Sequence, residues 1–240
     1  MTEFAMENEL QVDIWSDVVC PWCAIGKAHL DQALELFEHR DRVSILWHSF
    51  ELDPEAPAVR SGNYAEMIAK KYGYDVVQAQ TMVDQMTERA AAIGLDFHFE
   101  MVKPGNTFDA HRMIHLGAAR GIQTAVKERM LRGYLSEGEA IGLPEVVEKL
   151  AIEAGLDADE VARVLASDAF VDDVRADEAL ARQLQITGVP FFVIGGRYAV
   201  GGAQPADVLL EVLEKAWSER EPALDMIAEG EVCGPEGCEI

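Results

Sequence analysis

Two cysteines three positions apart, Cys20 and Cys23, enclose Pro21 and Trp22 where a short apolar stretch gives way to helical spacing. A dithiol at this spacing can close into a disulfide within one helical turn. Disulfide exchange needs one thiolate to attack and a second thiol to resolve the mixed disulfide. At a helix start, Cys20 would meet unsatisfied backbone N–H groups, which favour a thiolate and can bring a thiol from about 8.5 into the range ~3.5–7.5. Helical register turns Cys23 toward the core with Gly26, Leu30, Ala33, Leu34 and Phe37, leaving Cys20 at the exposed tip. Pro21 suits the first helical position, where its missing N–H costs nothing. Trp22 adds apolar surface but no cation, so Cys20 is expected to be less acidic, and its disulfide less oxidising, than with a histidine in that place.

A second pair, Cys233 and Cys238, encloses Gly234-Pro235-Glu236-Gly237, a composition that allows a tight turn. This pair could exchange with Cys20–Cys23 or relay electrons to a partner. It could equally be an incidental exposed disulfide or a weak metal site. All four cysteines could in principle hold one zinc ion, but the first pair's place at a helix start argues against that. His111 and His115 have the i, i+4 spacing of paired zinc ligands, yet Arg112-Met113-Ile114 between them lacks a metalloprotease glutamate. Packing or capping is the preferred reading of both, and neither metal nor cofactor is expected.

The elements that must position these groups follow from periodicity. Gln11–Trp15 alternates as a strand, the helix from Pro21 runs to about Phe37, and Val43–Phe50 is apolar on both sides, as a central strand would be. Together they make a βαβ unit. From about Pro54 to Ile186 the spacing is helical. One helix carries Ala79, Met82, Val83, Met86, Ala90 and Ile93, and another opens at Pro144 and ends before Gly155. A third follows Asp157, with Glu160 completing a capping box. Strand character returns in Phe191–Ile194 and Arg197–Val200, which flank a Gly195-Gly196 turn, and Pro205 opens a last amphipathic helix. The order is βαβ, many helices, then ββα, which is an α/β thioredoxin fold with a large all-helical insertion. The expected division is 10–54 plus 187–218 for the thioredoxin-like domain, 55–186 for the insertion and 219–240 for an acidic tail.

Composition bounds the function. The 240-residue chain carries 20 Lys+Arg against 43 Asp+Glu, a net charge of −23 that disfavours nucleic acid and anionic membrane surfaces as partners. The segment from Met1 to Leu10 has neither the basic flank nor the apolar core of a secretory signal, and no apolar run is long enough to span a bilayer. A cytoplasmic location is therefore expected. In a reducing compartment, four cysteines point to redox catalysis or metal binding rather than a structural disulfide framework.

Four segments read together resemble a known family. They are Val19-Cys20-Pro21-Trp22-Cys23, Trp47-His48-Ser49-Phe50-Glu51-Leu52, Asn106-Thr107-Phe108-Asp109-Ala110-His111-Arg112 and Thr187-Gly188-Val189-Pro190-Phe191-Phe192. The chain is similar, from about Val12 to Trp217, to the DsbA-like thioredoxin superfamily and within it to the FrnE-type thiol-disulfide oxidoreductases. The resemblance implies Cys20 as attacking cysteine, Cys23 as resolving cysteine and Pro190 as a cis-proline facing them. It also implies that the backbone of Val189 is open to an extended substrate peptide. Substrates would be protein or peptide thiols and disulfides, with a thiol reductant such as thioredoxin or glutathione. Two other functions come from the same fold. Kappa-type glutathione transferases and hydroxychromene carboxylate isomerases act on small molecules, but they have lost the dithiol that this chain keeps. A non-catalytic peptide-binding chaperone would use the insertion and the cis-proline edge.

Overall fold

A computed structural model describes residues 9–60 and 62–220. Its sheet has four strands in the order β2-β1-β3-β4, with β1 Leu10–Ser16, β2 Val43–Ser49, β3 Phe191–Ile194 and β4 Tyr198–Gly201. β1 pairs parallel with β2 and antiparallel with β3, so the βαβ and ββ parts meet along β1. Helix α1, Pro21–Leu36, makes the crossover, and the closing helix α9, Ala206–Ser218, packs beside it. Between β2 and β3 lie helices only: α2 Tyr64–Tyr72, α3 Val76–Ala92, α4 Phe108–Ala119, α5 Gln123–Leu135, α6 Pro144–Glu153, α7 Ala158–Leu165 and α8 Val171–Gln183. This is the DsbA-like thioredoxin fold with a helical insertion.

β2 is not the central strand expected from its apolar residues. It lies at the edge of the sheet, and helices of the insertion cover it. The Gln123 side chain accepts from the Trp47 N–H at 3.0 Å and donates to the Trp47 carbonyl at 2.9 Å, and Asp177 accepts from the Ser49 N–H at 2.7 Å. Those bonds satisfy backbone groups that would otherwise leave an open edge, so β2 carries apolar residues because helices, rather than a second neighbouring strand, lie along its outer edge. The hairpin differs by one residue. Ile194 pairs with Tyr198, giving a three-residue connection in which Gly195 and Gly196 both adopt positive φ. The capping box before α7 is half formed: Asp157 accepts from the Glu160 N–H, while the Glu160 carboxylate turns to Arg120.

A polar cluster ties α8 to the sheet. His48 bridges Asp13 at 2.8 Å and Asp177 at 2.7 Å, and Trp15 stacks on the His48 ring at 4.3 Å. His115 reaches Asp177 at 3.1 Å from the other side. Burial opposes a charged His48, but its hydrogen bonds to the two carboxylates raise it to about 9. The same contacts hold Asp177 far below the ordinary carboxylate range, despite its burial.

Candidate active site

Cys20 is the N-cap of α1, with Pro21 at the first helical position and no side-chain cap of its own. The strand–helix junction places both thiols as spacing predicted. Their exposure does not follow the same prediction. Cys23 is buried as expected, but Cys20 is also buried, at 4% exposure, rather than standing at an open tip. The reason lies far away in sequence, where the loop before β3 closes over the sulfur. The Val189–Pro190 peptide is cis, and the Val189 carbonyl oxygen lies 3.7 Å from Cys20 Sγ. Gly26, one turn beyond Cys23 on α1, makes this approach possible, because a Cβ there would lie 2.9 Å from Pro190 Cγ.

The thiols also differ in ionisation from the sequence expectation. Their mutual hydrogen bond and burial push Cys20 well above the usual thiol value, and the Asp17 carboxylate adds to this. The helix N–H of Cys23 acts on Cys20 in the predicted direction, but it is the weaker influence. Cys23 is lowered. Burial opposes its anion, but the hydrogen bond from Cys20, the Lys127 ammonium, the Ser16 hydroxyl and the Asp17 backbone outweigh it. In the reduced pair a proton is therefore held more tightly at Cys20 than at Cys23.

Three buried charged or titratable groups surround the pair; spacing had drawn attention to His111, though as one of two possible zinc ligands, and had not singled out Asp17 or Lys127. Asp17 accepts from the Leu52 N–H at 2.8 Å and lies 3.3 Å from His111 Nε2. Burial raises the Asp17 carboxyl, yet His111, Leu52 and Lys127 together hold it below its ordinary value. Burial likewise holds His111 below its ordinary value. Lys127, from α5, donates to the Ser16 carbonyl at 3.2 Å. Its sequence signal was weak but present: with Gln123, Leu131 and Tyr134 it occupies one buried face of α5. His111 and His115 do not converge, since one faces Asp17 and the other Asp177 and Ser49.

Cys20 opens onto a groove of about 970 Å³. Cys20, Trp22 and Val189 line one side, while α2 and α3 supply Tyr64, Met67 and Met86 opposite. Trp22 is 38% exposed, and the Arg89 guanidinium lies 5.7 Å from its ring centroid. Glu51 and Thr107 also line the groove, and Glu51 Oε1 and Thr107 Oγ1 are buried without hydrogen-bond partners. Glu51 Oε2 accepts from Arg175 at 2.6 Å. Burial raises Glu51 to about 7, with Arg175 opposing and Glu178 assisting. Cys233 and Cys238 lie outside the described residues.

The sequence profile of the DSBA-like thioredoxin domain matches residues 11–214. The chain belongs to this family. As a DSBA-like thioredoxin domain protein it is 44% identical to a crystal structure from Streptomyces coelicolor described as a probable DsbA oxidoreductase. That match covers 97% of this chain and 99% of the other, with a TM-score of 0.85. It is 28% identical to the uncharacterised protein YwbO of Bacillus subtilis, over 88% of this chain and 98% of the relative. The cytosolic disulfide reductase DsbM of Pseudomonas aeruginosa, solved with glutathione, shares the fold at 16% identity and a TM-score of 0.59, over 85% of this chain and 98% of that one. The DSBA-like family is one of thiol-disulfide oxidoreductases, and a buried dithiol beside the carbonyl that precedes a cis-proline is chemically suited to that exchange.

Proposed function

We propose that this protein is a thiol-disulfide oxidoreductase or isomerase acting on protein disulfides through Cys20-Pro21-Trp22-Cys23. One observation carries the reading: of the two thiols, Cys20 lines the groove, and it does so beside the carbonyl that precedes cis-Pro190. Moving the remaining proton from Cys20 to Cys23 places the anion where a substrate disulfide can be reached. Cys20 then attacks, one substrate sulfur leaves as a thiol, and Cys23 displaces the second to close the protein disulfide. Val189 offers its backbone to an extended substrate strand, while Pro21 and Trp22 shape the rim. The apolar wall from α2 and α3 suits an unfolded segment rather than a small polar molecule.

The protein is assigned to the cytoplasm, reduced by a partner thiol such as thioredoxin or glutathione. No described helix is long and apolar enough to cross a membrane. The tail pair Cys233–Cys238 is proposed as a secondary redox pair exchanging with the first.

Insulin disulfide reduction tests the reading. Wild-type protein should accelerate it, Cys20→Ser should abolish the acceleration, and Cys23→Ser should accumulate a mixed disulfide on Cys20. Full activity in Cys20→Ser would refute it. The reduction potential gives the direction: a value near about −270 mV marks a reductase, and one between about −120 and −180 mV an oxidase or isomerase.

A further inference from the structure

Lys127 is 1% exposed, yet nothing in the exchange chemistry just described uses it. Its Nζ donates to one acceptor, the Ser16 carbonyl at 3.2 Å, and lies 5.6 Å from the Trp47 ring centroid. An ammonium has three donors, and a buried charge persists only where opposite charge compensates it. The groups that face it are few. Asp17 comes from the turn after β1, Cys20 and Cys23 from the start of α1, and His111 from α4. Ser16 stands beside both, its carbonyl taking the ammonium and its hydroxyl, which is buried without a hydrogen-bond partner, favouring the Cys23 anion through space. Asp17 is itself shared with His111 and the Leu52 N–H. The anion of the reduced dithiol is therefore a substantial part of what keeps Lys127 charged.

We propose that Lys127 is a redox-linked proton site: when Cys20 and Cys23 close into a disulfide, the buried ammonium gives up a proton, which it regains when the pair is reduced. With the dithiol reduced, burial already draws Lys127 down to about 8, against the opposing influence of Cys23, Asp17 and Cys20. Disulfide formation removes both thiol contributions and leaves Asp17. The stoichiometry closes without a further reactant. A reduced pair holding one thiol proton and one thiolate, beside Lys127 as ammonium, reacts with a substrate disulfide. The products are the protein disulfide, a neutral Lys127 amine and two substrate thiols. Two electrons pass to the substrate, and its two new S–H protons are matched by the one from the thiol and the one from Lys127, exchanged through solvent. The inserted helices would thus contribute a proton to chemistry carried out on α1.

The proposal rests on the dithiol being redox-active, and the experiment separates the two. Protein labelled with ¹³C-lysine is titrated by NMR at the Lys127 Cε, assigned by its loss in Lys127→Arg, before and after oxidation with glutathione disulfide. Peptide mass mapping confirms the Cys20–Cys23 bond. The proton affinity of Lys127 is expected to fall roughly tenfold or more on oxidation, a shift of about one pH unit. An unchanged midpoint with the disulfide formed overturns the proposal and leaves the oxidoreductase reading intact. Failure of the disulfide to form overturns both. Lys127→Met supplies a second readout, thiolate absorbance of the reduced pair at neutral pH. This should fall several-fold, and an undiminished signal overturns the proposal.

Discussion

Gly26→Ala tests how the cis-proline loop reaches the dithiol. Gly26 lies inside α1, where alanine is favoured over glycine by about 1 kcal/mol. If nothing lay opposite, the variant would be the more stable protein. The structure places a rigid neighbour there. The new methyl carbon would stand 2.9 Å from Pro190 Cγ, 3.3 Å from Phe192 Cζ and 3.5 Å from the Ala203 Cα. Carbon–carbon contacts are favourable at about 3.5–4.0 Å, so the Pro190 ring must retreat by on the order of 0.6–1 Å. Overpacking of this kind costs about 1–3 kcal/mol. Set against the gain in helix propensity, the net loss is about 0–2 kcal/mol, which denaturant unfolding can measure. Activity should suffer more. The Val189 carbonyl, 3.7 Å from Cys20 Sγ, moves with the proline, and misplacement of a positioning group by about 1 Å can cost ~10²-fold in rate. A tenfold or larger drop in kcat/KM for insulin reduction, with stability within about 2 kcal/mol of wild type, is the expected outcome. A variant about 1 kcal/mol more stable than wild type with unchanged kcat/KM would refute the reasoning.

Three further outcomes are expected. The His48 value of about 9, against an ordinary 6.5, means that the folded protein binds this proton more tightly than the unfolded chain. The resulting stabilisation, on the order of 3 kcal/mol, is present in full below about pH 6.5 and lost as pH rises through 9. Urea unfolding of wild type and His48→Asn should therefore converge toward pH 10, and parallel profiles would contradict this. Glu51→Gln should remove a pH-dependent change in KM for peptide substrates near pH 7, where burial has brought the Glu51 carboxyl; an unaltered KM profile would show that the unpartnered oxygen does not meet substrate. Replacing Cys233 and Cys238 together by serine should slow turnover with a partner reductant while leaving the single-turnover reaction of Cys20 intact, and steady-state rates equal to wild type would count against exchange between the pairs.

Local features were legible from the sequence to the extent that local rules govern them. The start of α1 at Pro21 follows from a proline at a helix N-terminus, and the end of α6 before Gly155 from a residue that takes φ of +104°. The fold order followed from where periodicity changes. What escaped is set by packing across distant segments. Apolar residues on both sides of β2 suggest cover but not whether strands or helices supply it; the Gln123 amide and Asp177 decide that. Helix register turned Cys20 outward, and could not show that a loop some 170 residues later would close over it and bury it. Asp17, His111 and Lys127 gave little local sign of converging, because three separate elements bring them beneath the sulfurs.

The groove has two walls encoded by different stretches of chain. On the proposed function Cys20 and Trp22 at the start of α1, with Val189 before β3, carry the chemistry, whereas Tyr64, Met67 and Met86 stand on α2 and α3. What the protein accepts can therefore be altered independently of how it reacts. Exchange of side chains across Tyr64–Met86 would remodel selectivity for apolar segments while the dithiol, its buried charges and the proline loop stay as they are. Within the insertion, α2 and α3 would thus be the replaceable part, whereas α4 and α5, which supply His111 and Lys127, belong with the constant reactive centre.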